Sequence, residues 1–143
     1  MDKELVFTKF LQYRKLYKDV NRIIDIVESN IGYNLFSDPF DLISSGFIHT
    51  LVFTDDNVWN ECKKIADENQ NIKMDDSVRD TISIQMIDSD AENAEKPAYI
   101  TFHVMRLTDL YQVRSVLGKA ILENMDKMYV INYQYWDAKE KRM

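Results

Sequence analysis

Val6, Phe10, Tyr13, Tyr17, Val20, Ile24, Val27 and Ile31 recur at alternating spacings of four and three. That period puts them on one side of a helix of about 28 residues, closing near Gly32. Leu11, Leu16, Ile23 and Ile26 widen or flank the stripe. Lys9, Arg14, Lys15, Lys18, Asp19, Arg22, Asp25 and Glu28 fall between and read as a solvated face. Such a helix is about 40 Å long, more than a small domain needs, so part of it is expected to overhang.

Ser37-Asp38-Pro39 has the form of a second helix start, a capping side chain followed by proline. That helix is expected to reach about Phe53 and to bury Phe40, Ile43, Phe47 and Leu51. Thr54-Asp55-Asp56 offers the next cap, with Val58, Cys62 and Ile65 as the stripe of a third helix ending at Asn69-Gln70-Asn71. From Thr81 the period becomes two. Thr81–Ile87 and Ala98–Val104 read as strands joined by an acidic connection from Asp88 to Pro97.

Thr108 or Asp109 caps a fourth helix to about Asp126, with Leu110, Val113, Leu117, Ile121 and Met125 inward. Met128–Trp136 is rich in β-formers and reads as a last strand. The pattern predicts one α+β domain over residues 1–143, with a frayed tail at 137–143. Three N-terminal helices precede a ββαβ unit whose small mixed sheet includes a right-handed parallel crossover.

Composition narrows the chemistry. With 143 residues and 45% hydrophobic content, the chain can bury a core without metal or disulfide. Cys62 is its one cysteine, which excludes an internal disulfide and points to a reducing, cytoplasmic setting. The opening MDKELVFTKF mixes charges with apolar residues, unlike a secretory leader, and no apolar run approaches a membrane span.

The net charge of −6 is concentrated: residues 38–96 carry five basic and fourteen acidic side chains. Such a segment repels phosphate backbones, so direct nucleic-acid binding is disfavoured, and it suits a basic protein partner. The three glycines, Gly32, Gly46 and Gly118, stand far apart. Phosphate-cradling loops need clustered glycines, which counts against the usual nucleotide-binding folds.

The remaining constellations are sparse. His49, with Ser45 one turn before it, and His103, between Phe102 and Val104, are the only histidines. Neither lies in a nucleophile elbow or a zinc-ligand spacing, and both read as structural. Asp88-Ser89-Asp90-Ala91-Glu92 alternates carboxylates as a calcium loop does. It then places Asn93 where glycine is needed and Tyr99 where a bidentate glutamate is needed. Asp55-Asp56 and Asp75-Asp76 fit helix and turn boundaries. Cys62, on an apolar stripe, reads as a buried thiol. No cofactor or metal is expected.

In the terminal segment Tyr129, Ile131, Tyr133 and Tyr135 share one face of the expected strand. Tyrosine is favoured at interface centres, so Tyr133 and Tyr135 are the expected anchors, with Glu92 and Glu95 as steering charges. The sequence thus favours a non-enzymatic binding or inhibitor protein acting through a protein–protein interface. The alternatives are a small enzyme with a carboxylate or histidine site, and a self-assembling subunit that forms a homo-oligomer through the 6–31 helix.

Overall fold

The computed structural model describes residues 3–30, 51–92 and 95–141, with side chains described as far as Asn132. The elements run α1 (Lys3–Asn30), α2 (Asp56–Asp67), β1 (Ile72–Asp75), β2 (Val78–Ile87), β3 (Tyr99–Val104) and α3 (Leu107–Lys141). The α+β class holds. Among the described residues the order is two helices, three strands and a helix, so the expected ββαβ unit is not formed.

The expected second helix falls mostly on residues 31–50, outside the described residues, as does His49. Its expected end is described and is not helical: Leu51 instead forms an antiparallel bridge with Arg106. Asp55 caps α2 as expected, its carboxylate accepting the Val58 N–H at 3.0 Å.

The sheet is antiparallel throughout, in the order β1-β2-β3, and this overturns the mixed sheet and its crossover. β1, absent from the expected elements, has four residues, too few to display a period. Its pairing runs Ile72↔Ile84, Lys73↔Ser83 and Met74↔Ile82, with a register shift between Met74 and Asp75. β2 and β3 pair from Ile82↔Val104 to Ile87↔Tyr99. Ile72, Ile82, Ile84, Met86 and Val104 are buried and join Tyr13, Leu16, Val20 and Ile23 of α1 in one core.

The larger correction is at the C-terminal end. Met128–Trp136 is not a strand; α3 continues through it for 35 residues, about 52 Å. No glycine or proline follows Gly118, so nothing in the backbone stops the helix once formed. Its buried positions Leu110, Val113, Leu117, Ala120, Asn124 and Ile131 keep helical spacing against α1. The helix begun on that partner runs on through residues whose local preference is for strand. At the start, Asp109 is the third residue of the helix rather than its cap. It reaches back to accept the N–H groups of Met105 and Arg106, each at 3.0 Å.

α1 and α3 are antiparallel. Asn124 Nδ2 donates to the Val6 carbonyl at 2.8 Å, Arg114 to Asn21 Oδ1 at 3.4 Å, and the Tyr111 hydroxyl to Glu28 Oε1 at 2.7 Å. Helix α3 therefore runs on past the start of α1, so the overhang expected of the first helix belongs to the last.

The stripe on α1 is rotated from its expected centre. Tyr13, Leu16, Val20, Ile23, Ile24 and Val27 are buried, Phe10 is half-buried and Tyr17 is exposed. Lys9, Asp19 and Glu28, expected in solvent, are buried and hydrogen-bonded. Each meets a polar group that comes from elsewhere in the chain.

Candidate binding surface

Where α1 begins beside the later turns of α3, apolar side chains stay in solvent. Leu122, Met125 and Tyr129 follow at spacings of three and four on α3, so they share a face. Phe7 and Leu11 lie one turn apart on α1. Tyr129 is 71% exposed, and Leu11 and Leu122 are each 66% exposed. Between the helices a groove of about 630 Å³ is lined by Phe7, Phe10, Met125, Met128, Tyr129 and Ile131. The Arg14 guanidinium stacks over Phe10 at 5.4 Å from the ring centre.

The acidic connection lies at the same end. Lys9, only 4% exposed, donates to the carbonyls of Ser89 at 2.9 Å and Ala91 at 2.7 Å. Burial, with Lys127 nearby, holds the Lys9 ammonium below the usual lysine range, while Asp88, Asp90 and Glu92 pull it up. Asp88 accepts the Asp90 N–H at 3.0 Å, which tightens the turn. Lys9 thus anchors this loop to α1, leaving Asp90 and Glu92 exposed. Glu95 is exposed as well.

The expected anchors do not share a strand face. Tyr133 and Tyr135 lie on α3, where the backbone turns by about 200° over two residues, so the expected strand face is not formed. Their side chains lie outside those described. Met125, expected inward at the end of the fourth helix's stripe, is exposed instead, and Tyr129, expected on a strand face, lies on the exposed side of α3. Only the packing of α1 on α3 decides which edge of a stripe stays wet.

A second cluster occupies the outward sheet face. Lys73, Ser83 and His103 stand side by side across the three strands. The Ser83 Oγ and His103 Nδ1 are 3.4 Å apart beside a cavity of about 860 Å³. His103 is exposed rather than a core histidine. The nearby carboxylates are already engaged: Asp75 accepts the Ser77 hydroxyl at 2.7 Å, and Asp76 accepts Trp59 Nε1 at 3.0 Å and Lys63 Nζ at 2.8 Å. Cys62 is buried, and its thiol is pushed up to about 12, first by desolvation and then by Glu61. That environment suppresses the thiolate a nucleophile needs.

Among the described residues, no three His, Cys, Asp or Glu side chains gather closely enough to hold a metal ion. No described helix is long and apolar enough to cross a membrane. Comparison with protein families, with curated proteins and with solved structures finds no match for this chain.

Proposed function

We propose that this is a non-enzymatic binding protein that engages a protein partner through the exposed end of the α1–α3 pair. One observation carries the reading: the exposed Phe7, Met125 and Tyr129 line one groove together with Phe10 and Met128, an apolar and partly aromatic surface. Contiguous exposed apolar surface of this kind marks interaction sites on soluble proteins. Tyrosine and methionine suit an interface centre, because they cover large areas and adapt their packing.

Glu92 and Glu95 remain the steering charges of this proposal, since Lys9 fixes the Asp88–Glu92 loop against the same end of α1. A basic partner in a cytoplasmic setting fits the acidic middle of the chain. Tyr133 and Tyr135 lie farther along the helix that carries Tyr129.

The test places a photo-crosslinking residue at position 125 and, as a control, at exposed position 18, in cells of the native source. The reading expects a specific adduct from position 125 that Tyr129→Ala abolishes while melting temperature is unchanged. An adduct equally strong from both positions, or one indifferent to Tyr129→Ala, would overturn it. Glu92→Gln with Glu95→Gln should slow association in a salt-sensitive way and leave dissociation unchanged.

A further inference from the structure

We propose that the outer edge of β3 is a docking site for an extended peptide segment of another protein. The segment adds as a fourth antiparallel strand and sets alternate apolar side chains into the groove between β3 and α3. This inference rests on β3 and the first half of α3, and it stands or falls separately from the α1–α3 surface.

The ladder fixes which backbone groups face outward. Asp88 N donates to the Ala98 carbonyl at 2.8 Å, and the register continues from Ile87↔Tyr99 to Ile82↔Val104. Hydrogen-bonded pairs occur at every second position of an antiparallel ladder. Ile100, Phe102 and Val104 therefore turn their peptide groups toward β2. Tyr99, Thr101 and His103 turn theirs away from it.

Met105 has the same outward phase, and its carbonyl accepts the Val52 N–H at 3.1 Å beside the Leu51↔Arg106 bridge. A short piece of chain has thus already begun an antiparallel pairing on this edge. It then leaves: Thr54 Oγ1 bonds back to the Leu51 carbonyl at 3.0 Å, and Asp55 caps α2. From His103 back to Tyr99 the edge is unpaired among the described residues. A docked strand continues an interface that Val52 starts.

The two edges of the sheet differ in how they are protected. β1 has four residues, a register shift, and the charged side chains Lys73 and Asp75. Short length, irregularity and charge are the usual means of preventing strand addition. β3 has six residues, Tyr-Ile-Thr-Phe-His-Val, in regular register, with no acid, lysine, arginine or proline. β3 has none of the protection that β1 shows.

A cavity of about 710 Å³ follows the same edge, between Thr101–Val104 and α3. Phe102 is half-buried at its strand side, and Val116 is 40% exposed at its helix side. Side chains of a fourth strand alternate between the two sheet faces. Those on the helix side meet Phe102 and Val116, which selects apolar residues at every second position. Main-chain hydrogen bonds to Tyr99, Thr101 and His103 supply the rest, the mode known as strand addition.

A second copy of the chain is the less favoured occupant. Two-fold pairing of β3 with β3 brings both copies of α3 to the same face of the seam. The groove beside the edge has room for the side chains of a strand rather than for another helix, which is about 10 Å across.

The probe is a library of terminally blocked nonapeptides with Val, Ile, Leu, Phe or Tyr at alternate positions and Thr, Ser or Lys between them. It is selected on the full-length, isotope-labelled chain. Bound peptides should slow amide exchange at Tyr99, Thr101 and His103 by about tenfold or more, with Ile100, Phe102 and Val104 already slow. Val116→Glu should weaken binding by about tenfold at unchanged melting temperature. Thr101→Pro, which removes one outward N–H, should do the same, and N-methylation of alternate peptide amides should abolish binding.

Failure of the library to bind overturns the proposal. So does protection elsewhere, or binding indifferent to Val116→Glu. A concentration-dependent dimer that protects the same three amides without peptide assigns the edge to a second copy instead, and equally overturns it. Crosslinking at position 125 is not expected to change in any of these variants.

Discussion

Asn69 donates its side-chain amide to the Asp19 carboxylate at 2.8 Å, joining two buried residues fifty positions apart. The same Asn69 accepts the Asn71 N–H at 2.9 Å through its carbonyl oxygen. One side chain thus shapes the turn between α2 and β1 and ties that turn to the middle of α1. Arg22 supplies a second contact to Asp19 at 3.1 Å from a half-exposed position.

Replacing Asn69 with alanine leaves one oxygen of a buried carboxylate without this donor. The expected cost is about 1–3 kcal/mol in urea unfolding. Asn69→Asp should cost more, because it places a second carboxylate against Asp19. A loss below about 0.5 kcal/mol for the alanine variant would mean that water or Arg22 replaces the bond fully.

Gly118 sits inside α3, where glycine gains no benefit from its backbone freedom. A Cβ built there meets the Tyr17 Cε2 atom at 3.6 Å, an ordinary van der Waals distance. Gly118→Ala should therefore stabilise the fold by about 0.5–1 kcal/mol, chiefly by restricting the unfolded chain. Gly118→Leu should lose that gain by pressing on the Tyr17 ring. Thermal melts of the two variants decide the point; an alanine variant less stable than the parent contradicts the helix contact.

Acid sensitivity should trace in part to the β1–β2 turn. The Ser77 hydroxyl and N–H hold the Asp75 carboxyl below the usual range, while Lys63 and then Trp59 do so for Asp76. A carboxyl whose folded pKa is lowered binds fewer protons folded than unfolded. Its stabilising contribution is complete above the unfolded value, about 4, and disappears as pH falls through the lower folded value. Asp76→Asn should reduce stability at pH 7, with the difference from the parent narrowing as the pH falls below about 4. Both groups are open to solvent, so the effect should be modest and weaken with salt. A difference that stays constant from pH 7 to pH 2 would show that the charge plays no part.

Local order set much of this fold. The spacing of apolar residues gave the extent of α1, the Asp55 carboxylate gave the start of α2, and the change to a period of two marked β2 and β3. These features arise within a few residues of chain, through helix geometry, a cap hydrogen bond or strand alternation, so they can be read without a partner. Tertiary contact decided the rest. Met128–Trp136 carries β-forming residues, yet it continues a helix already formed where Leu117, Ala120 and Asn124 pack in the core, with no glycine or proline to stop it. Lys9, Asp19 and Glu28 look like surface charges until Ala91, Asn69 and Tyr111 arrive from distant parts of the sequence to bond them. The same holds for the two candidate surfaces. Whether Tyr129 faces solvent depends on which edge of α3 packs against α1, and the edge of β3 is unpaired among the described residues because the chain turns away after Val52 pairs with Met105. Neither depends on the residues adjacent in sequence.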